Sequence, residues 1–523
     1  MRTSPARFTG SQKGPELPPT PAVPAWSLYL AVALVAVVVY LGALRNGYAL
    51  DDVIIIARNP MVHDLSGVWK ALREPYWPVA LGATMYRPLP MASYAVDLAI
   101  GSVAWLHAVG VLWHAGVSVV LAGLTKRWTE SASAALVAGL AFAVHPVHVE
   151  AVANLVGRSE LMAALFTLLA VYAALERDRL WWSLTAFALG LLSKESAAVA
   201  PALIVWGWIV GFGRVPRRRM WGYVVGWAAV GLAYALVRGA LLHPYARFLH
   251  VAPVFVGASP MEIRLTAIAA LADIARLLVF PLTLRVDYSP DERTLVTTPL
   301  DPRFLLGAAC LAAWVTLLVL AYRRGRRGEA FGLGWIGIAF LPVANLLFPT
   351  GVLVAERTLY LPSAGLALAL GAWLGRLPRR LLGAVVTSLV VLGGVRTAWR
   401  VPIWRSTFTA TLSVLDDSPR SFFGPMQMVG IYLDQREPER ALEAVRVTTR
   451  IYDRTPTVFL EGADAAFQLG QPRLADSLLA RMEQLCSRCL FYYRWEIAAA
   501  RGRGDPATAD SLELRLQSLE TGR

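Results

Sequence analysis

The chain has 523 residues, of which 56% are hydrophobic, and its mean hydropathy is +0.50. These values exclude an ordinary soluble globular protein and indicate an integral membrane protein. The formal net charge of +14 does not indicate a nucleic-acid partner, because the arginines stand in short clusters between apolar runs, which is typical of cytoplasmic loops in membrane proteins.

The first apolar run is long enough to cross a bilayer. As a helix, residues 26–44 would span roughly 28 Å, at about 1.5 Å per residue. They follow a proline-rich segment, residues 1–25, which is predicted to be a disordered cytoplasmic tail. The run is too long for a signal peptide and no small-residue cleavage site follows it, so a retained first helix is predicted. A polar, aromatic-rich loop, residues 45–101, comes next.

Further apolar runs predict the other membrane spans, near 102–124, 132–144, 159–175, 180–193, 197–212, 220–238, 303–322, 331–348, 359–375 and 381–397. The charged run at 263–281 is predicted to be re-entrant, interfacial or irregular, because a crossing there would place the basic segment 323–327 outside. About eleven spans then place the N-terminus in the cytoplasm, and the 45–101 loop and the C-terminal tail outside.

The C-terminal tail, residues 416–523, contains a sequence repeat. The segments "REPERALEA", "GQPRLADSL" and "GDPATADSL" keep prolines and alanines in one register, at Pro438, Pro472, Pro506 and at Ala441, Ala475, Ala509. The spacing is 34 residues, and a 34-residue unit of helix, turn and helix is the tetratricopeptide signature. Such solenoids present extended binding surfaces. A generic helical bundle is the alternative.

Two adjacent carboxylates, Asp51 and Asp52, open the outer loop directly after the first span. Like charges at a bilayer boundary repel each other, so the pair requires solvent, nearby cations or a ligand. A hydrated cap of the helix exit is the alternative. Further along the loop, "SGVWKALR" predicts a short helix on the membrane face, and the predicted interface anchors are Trp69, Tyr76 and Trp77.

Other segments that the topology places outside, including a later part of the 45–101 loop, also carry polar side chains. They are Arg87 in "YRPLP", His145, His148, Glu150 and Arg158 in "HPVHVEAVANLVGRSE", Lys194 and Glu195 in "LLSKES", and Arg357 and Tyr360 in "ERTLYLPS". Each has a simpler explanation, such as a helix cap or a local ion pair. Together they lie on the face where arginine is disfavoured, which predicts a cationic pocket beside the carboxylate pair.

Metal and nucleotide chemistry have little support in the sequence. The spacing H-x-x-H-x-E at residues 145–150 is not the helical pair of a zinc protease, so no metal site is predicted. There is no phosphate-binding glycine loop and no nucleophile elbow. A lone C-x-x-C, formed by Cys486 and Cys489, is a weak metal or redox signal and is interpreted as structural.

One class of reaction requires both a carboxylate and a group of nearby cations. Transfer of a sugar from a lipid phosphate to a hydroxyl needs a carboxylate as general base and cations that stabilise the departing phosphate. It needs no metal and no cofactor, and a single displacement inverts the anomeric centre. The isoprenoid tail of such a donor stays in the bilayer, so the site belongs at the membrane surface, where Asp51 and Asp52 are predicted.

Six motifs precede the repeats: "NPMV", "YRPLPMASYAVD", "HAVGVLWHA", "FAVHPVHVEAVANLVGRSELMAALF", "LLSKES" and "ERTLYLPS". By these motifs and the repeats, the chain resembles the transmembrane-and-tetratricopeptide protein O-mannosyltransferases of the GT-C glycosyltransferase superfamily. The resemblance implies an all-α, GT-C-type membrane domain, residues 26–400, a polyprenyl-phosphate sugar donor, usually with mannose, and Ser/Thr hydroxyls of proteins as acceptors. It also implies that Asp51 is the base with Asp52 beside it, and that the ligands of the donor phosphate are Arg158, Lys194 and Arg357.

Two other functions remain as alternatives. A transporter or flippase of lipid-linked sugars would carry charges near the membrane midplane, and a membrane-anchored scaffold would leave the acidic pair unexplained. The absence of an Asn-x-Ser/Thr sequon and the preference for arginine over lysine favour a bacterial cytoplasmic membrane. The sugar, the acceptor and the oligomeric state are not determined by the sequence.

Overall fold

The computed structural model describes residues 24–78, 85–213, 218–243, 251–279, 281–486 and 490–521. Within these ranges the chain is helical and contains no strand, which confirms the all-α prediction. Nearly all of the predicted tail, residues 1–25, lies outside the described residues, as do Cys489 and part of the basic cluster at 214–219.

The membrane region contains α1 (Ala25–Val39), α2 (Gly67–Lys70), α3 (Pro88–Ile100), α4 (Val103–Thr129), α5 (Ala132–Ala143), α6 (Val149–Ala153), α7 (Arg158–Leu175), α8 (Leu180–Ser193), α9 (Ala200–Val210), α10 (Met220–Leu242), α11 (Pro260–Val279), α12 (Pro302–Arg323), α13 (Arg327–Phe340), α14 (Tyr360–Leu374) and α15 (Arg379–Arg400). The C-terminal region contains α16 (Thr407–Asp417), α17 (Phe423–Asp434), α18 (Pro438–Ile451), α19 (Pro456–Gln468), α20 (Pro472–Leu485), α21 (Leu490–Gly502) and α22 (Pro506–Thr521).

Every predicted apolar run forms a helix, but fewer of them are full-length spans than the eleven predicted. In the described chain, six helices are long and apolar enough to cross a bilayer: α1, α4, α7, α10, α12 and α15, some with short extensions. The bent pair α5 and α6, which meet at 46°, would make a seventh. The other runs are shorter because polar or proline-containing turns interrupt them, as at Lys194 and Pro342. The protein is therefore a multi-pass membrane protein with several short internal helices.

The charged run at 263–281 is not irregular. It forms α11, a helix of 20 residues that is absent from the six candidate spans. Its Asp273 accepts two hydrogen bonds from the guanidinium of Arg293, at 2.8 and 2.6 Å, so the segment that carries Arg293 is tied to this helix. The predicted exclusion of this run from the spans fits its composition, whereas the suggestion of an irregular backbone was wrong.

Close contact between helices depends on glycine at the crossing of α13 and α14. A Cβ added at Gly332 would lie 2.4 Å from the backbone oxygen of Gly365, and one added at Gly365 would lie 2.5 Å from that of Gly332. Only glycine allows the two backbones to approach this closely, and such small-residue contacts replace the hydrophobic driving force inside a bilayer. The buried Trp335 of α13 then donates to the carbonyl of Leu361 at 2.9 Å.

The C-terminal helices form antiparallel pairs with the predicted spacing. Pro438, Pro472 and Pro506 begin α18, α20 and α22, where proline fits because the first helical N–H has no intrahelical partner. The repeated alanines are fully buried in a hydrophobic core that these helices share, and the members at this position are Ala441, Ala475 and Ala509. A small side chain at this position allows each helix pair to pack closely.

The C-terminal region contacts the membrane region on the face that carries Asp51. The amide of Leu50 donates to the hydroxyl of Thr407 at 3.0 Å, and the hydroxyl of Tyr452 donates to the carbonyl of Pro253 at 3.2 Å. A cavity of about 540 Å³ lies between Arg58 of the 45–101 loop and the repeats. The loop and the repeats are therefore on one side of the helical bundle.

Candidate active site

The two adjacent carboxylates occupy a distorted backbone. Leu50, the residue before them, has a φ of +50°, a left-handed conformation that is rare and costly for a branched side chain. The residues after them, Val53–Ala57, form a π-helical turn. Such turns are found frequently at functional sites. Asp51 and Asp52 lie in different environments, since Asp52 is buried and Asp51 is partly exposed.

Asp52 is buried and holds the loop to the bundle. One carboxylate oxygen accepts from the amides of Ala49 and Leu155, each at 3.2 Å, and the other accepts from Val156 at 2.8 Å. Burial raises the pKa of Asp52 to about 7, and the three backbone donors partly oppose that shift. Asp52 therefore links the outer loop to the turn before α7.

Asp51 is partly exposed, and no described residue donates a hydrogen bond to its carboxylate. Its pKa is raised above the ordinary value, mainly by burial, while the charges of Arg357 and Arg87 act in the opposite direction and Glu150 adds to the increase. A carboxylate with a raised pKa, with arginines nearby and without a protein donor is available to accept a proton from a ligand.

Arg357 and Arg87 lie near Asp51, and each is held by a carboxylate. The backbone amide of Arg357 donates to Glu150 at 2.8 Å, and its guanidinium forms an ion pair with the same carboxylate. Glu150 is buried, whereas the Arg357 side chain is 36% exposed, so its remaining N–H groups are accessible. Arg87 donates twice to one oxygen of Glu195, at 3.1 and 3.0 Å.

Lys194 is the third cation of this group. It forms an ion pair with Glu160, and the charges of Arg87 and Arg357 both lower the pKa of Lys194, although burial is the largest cause of the decrease. An electrostatic effect of this kind requires the three cations to be near one another. Asp51 and Arg87 from the 45–101 loop, Lys194 from the turn after α8 and Arg357 from the turn before α14 therefore form one cluster, which we call the outer cluster.

Arg87 also packs on an aromatic ring. Its guanidinium lies 5.2 Å from the ring centroid of Tyr76. Tyr76 is almost completely buried, so its predicted role as an interface anchor is wrong. Trp69 is 71% exposed on α2, which fits an anchor. The guanidinium face that packs on Tyr76 leaves the edge of the group free for hydrogen bonds.

Arg158 is not part of the outer cluster. Its side chain is 1% exposed, one terminal nitrogen contacts Ser93 and Asp97, and the other donates to the carbonyl of Leu106 at 2.8 Å. The ring of Tyr94 covers its guanidinium at 4.7 Å. Both terminal nitrogens are therefore paired inside the bundle, and only the buried Nε has no hydrogen-bond partner among the described residues, so the structure does not support the predicted role of Arg158 as a phosphate ligand.

His148 and Tyr360 are also buried, and His145 is partly buried. His145 contacts the carbonyl of Leu278 at 2.9 Å and accepts from the amide of Val147 at 3.3 Å, which is a local cap. His148 contacts Ser363 at 2.7 Å, and the hydroxyl of Tyr360 contacts a ring nitrogen of His114 at 2.8 Å. The buried rings of His114, His148 and Tyr360 pack against one another. The predicted contact of His145, His148 and Tyr360 with substrate has no support in these positions.

Glu160 was not identified as a site residue from the sequence, although it stands in "GRSE" two positions after Arg158. It is buried and positions Lys194. Lysine is scarce in the chain, and a lysine near a membrane span requires a partner, so Lys194 could have prompted a search for its carboxylate. Among the described residues, no three His, Cys, Asp or Glu side chains form a group that could hold a metal ion.

Comparison with curated proteins gives relatives over about three quarters of the chain. A protein O-mannosyl-transferase of Caenorhabditis elegans is 26% identical over 77% of this chain, and protein O-mannosyl-transferase TMTC4 of Homo sapiens is 28% identical over 76% of it. The chain is similar to protein O-mannosyl-transferases. The family resemblance of the sequence motifs is therefore confirmed.

The chain spans 60% and 63% of the lengths of these two relatives, and 46% of the length of human protein O-mannosyl-transferase TMTC3, to which it is 25% identical. No protein-family model matches the chain, and no solved structure matches it.

Proposed function

We propose that the chain is a membrane glycosyltransferase that moves a sugar from a polyprenyl-phosphate donor to a Ser or Thr hydroxyl of a protein, with inversion. The similarity to protein O-mannosyl-transferases supports mannose as the sugar and protein as the acceptor. The observation that carries the proposal is the outer cluster. Its Asp51 carboxylate has no hydrogen-bond donor in the described residues and lies near Arg357 and Arg87, and Lys194 lies near these two arginines.

In the proposed reaction, Asp51 accepts the proton of the acceptor hydroxyl as its oxygen attacks the anomeric carbon. The bond between that carbon and the phosphate oxygen breaks, and the negative charge remains on the lipid phosphate. Arg87, Lys194 and Arg357 stabilise this charge, since fixed cations in a poorly solvated site interact strongly with a departing anion. One displacement on the face opposite the leaving group inverts the anomeric centre.

The glutamates that pair with the cations of the outer cluster are positioning residues in this proposal. Glu150, Glu195 and Glu160 each pair with one cation, so each cation is held before the donor binds. Electrostatic catalysis depends on such prior orientation, because no reorganisation is then needed during the reaction. The reaction requires no metal and no cofactor.

The site is proposed to lie on the outer face of a bacterial cytoplasmic membrane, with the acceptor reaching it along the C-terminal repeats. The repeats and the 45–101 loop lie on the same side of the bundle, which fits this arrangement. A transporter is less well supported, because the described cations of the outer cluster lie at helix ends and in loops.

The test compares wild type with Asp51→Asn in membranes supplied with polyprenyl-phosphate mannose and an acceptor peptide. We expect a decrease in transfer of about 10²- to 10⁴-fold, which is typical for loss of a general base. Glu74→Gln, an exposed carboxylate change in the same loop, should retain full activity. Mass spectrometry of exported proteins should show hexose on Ser or Thr only when the active chain is present. Full transfer by Asp51→Asn would refute the proposal.

A further inference from the structure

A cavity lies where the last helix of the membrane region, α15, meets the first helix of the C-terminal region, α16. Its volume is about 610 Å³, and we call it the α15–α16 cavity. The charged side chains of its lining are two cations, Arg396 and Arg400, and two carboxylates, Asp416 and Asp417. The lining therefore carries charges of both signs and no net charge.

The α15–α16 cavity lies at the end of the bundle that carries Asp51. The turn after α15 contacts the start of the outer loop, where the amide of Gly47 donates to the carbonyl of Arg405 at 2.9 Å. Arg396 and Arg400 stand one turn apart at this end of α15, which is one of the helices long and apolar enough to cross a bilayer. The cavity is therefore placed where this span leaves the membrane.

One cation and one carboxylate of the lining pair with each other, and the other two charges remain unpaired. Arg400 donates to Asp417 at 2.6 Å, and its buried Nη2 has no hydrogen-bond partner among the described residues. Arg396 donates through Nε to the carbonyl of Leu282 at 3.0 Å, but it forms no ion pair within the described ranges. Asp416 is exposed and pairs with no cation there. A ligand that carries both an anionic and a cationic group complements this arrangement.

The surface beside the cavity is apolar and exposed on both helices. Trp399 lines the cavity and is 79% exposed, and Val395, one turn before it on α15, is also exposed. Leu412 lines the cavity from α16, where it stands in an exposed row with Phe408 and Leu415 at helical spacing. An exposed Trp is typical of the level of lipid headgroups, and an exposed apolar row beside a span fits acyl chains. These residues favour a membrane lipid over a water-soluble ligand.

We propose that the α15–α16 cavity binds the headgroup of one zwitterionic phospholipid with a primary amine, from the leaflet on the face that carries Asp51. The phosphate contacts Arg396 and lies near Arg400, and the ammonium group donates to Asp416. The acyl chains lie along Trp399 and the exposed row of α16. An anionic phospholipid without an amine leaves Asp416 unpaired, so it binds less tightly. This binding does not depend on the sugar-transfer reaction.

The test is native mass spectrometry of the full chain in mild detergent, with phosphatidylethanolamine and phosphatidylglycerol of the same acyl chains at equal concentration. We expect wild type to retain one phosphatidylethanolamine in preference to phosphatidylglycerol. Arg396→Ala should bind phosphatidylethanolamine about fivefold more weakly, from the usual contribution of one cation at a lipid surface. Asp416→Asn should lose the preference, because the ammonium group loses its charged acceptor. The matched controls, Arg473→Ala and Asp510→Asn, each remove one exposed charge of the repeats and should bind as wild type does.

Folding is checked by comparing elution and melting temperature with wild type. If Arg396→Ala does not fold, Asp416→Asn decides, because this side chain is exposed and its size hardly changes. A preference that survives Asp416→Asn would overturn the proposal, as would equal retention of both lipids by wild type.

Two competitors identify the class of ligand. Glycerophosphoethanolamine, the headgroup without acyl chains, should leave the lipid bound at equal concentration, because it lacks the contacts to Trp399 and α16. An acceptor peptide should leave it bound as well. Displacement of the lipid by either competitor would overturn the proposal, since the cavity would then belong to a soluble ligand or to the acceptor.

Discussion

The variant Asp52→Asn tests whether Asp52 has a structural role while Asp51 has the catalytic one. Asp52 accepts three backbone hydrogen bonds, two on one oxygen and one on the other. An asparagine at position 52 has only one acceptor oxygen. In its best orientation this oxygen keeps the hydrogen bonds from the amides of Ala49 and Leu155, and the side-chain NH2 group then faces the N–H of Val156. One buried donor is then left unpaired, which costs about 1–3 kcal/mol.

The assay measures the melting temperature from tryptophan fluorescence in detergent, together with sugar transfer well below that temperature. We expect Asp52→Asn to melt at least a few degrees below wild type and to retain measurable transfer. Asp51→Asn should melt close to wild type, because no described residue donates a hydrogen bond to Asp51. An Asp52→Asn protein that melts like wild type but has no transfer would show that Asp52 acts in the chemistry, and the reasoning would be refuted.

Two further predictions concern pH and helix contact. Transfer by wild type should fall as the pH is lowered through the pKa of Asp51, because a protonated carboxyl cannot accept a proton. Burial raises this pKa above the ordinary value of 3.8, so the acidic limb of the pH profile should lie above that value. A profile of kcat/KM against pH without an acidic limb above 3.8 would contradict the assignment of Asp51 as the base. Gly332→Ala should destabilise the bundle by about 1–3 kcal/mol through overpacking, because its Cβ would lie 2.4 Å from the oxygen of Gly365. Gly383→Ala, which meets no atom within 4 Å, is its control in the same thermal measurement, and equal melting of the two variants would contradict the packing argument.

The helices and repeats were accessible from the sequence because their signals are local. Continuous apolar runs predicted the membrane helices, and the register of Pro438, Pro472 and Pro506 predicted the helix pairs. The number of full-length spans was overestimated, because hydropathy does not reveal that a helix ends early inside the bundle. Lys194, in the middle of an apolar region, was a visible sign of such an interruption.

The grouping of the candidate site residues was predictable in part. Asp51, Arg87, Lys194 and Arg357 form one cluster, which agrees with the shared face expected from the sequence, and their roles in a reaction stay predictions. The different environments of Asp51 and Asp52 were not predictable, since they depend on amides about one hundred residues away in the chain.

The buried position of Arg158 was also not predictable from the sequence. Its partner is Asp97 on α3, and no spacing in the sequence indicates that α3 and α7 meet there. A charged residue next to a predicted site can therefore belong to the core.

The short helices have a consequence for the lipid environment. Most residues of α5 and α14 are buried, whereas few or none of the residues in the candidate spans at α10 and α12 are buried. Changes in bilayer thickness act on lipid-facing helices, which adapt by tilting at a modest cost per ångström of mismatch. The enclosed helices that support Glu150 and Arg357 are shielded from this stress. The outer cluster should consequently keep its geometry in membranes of different thickness.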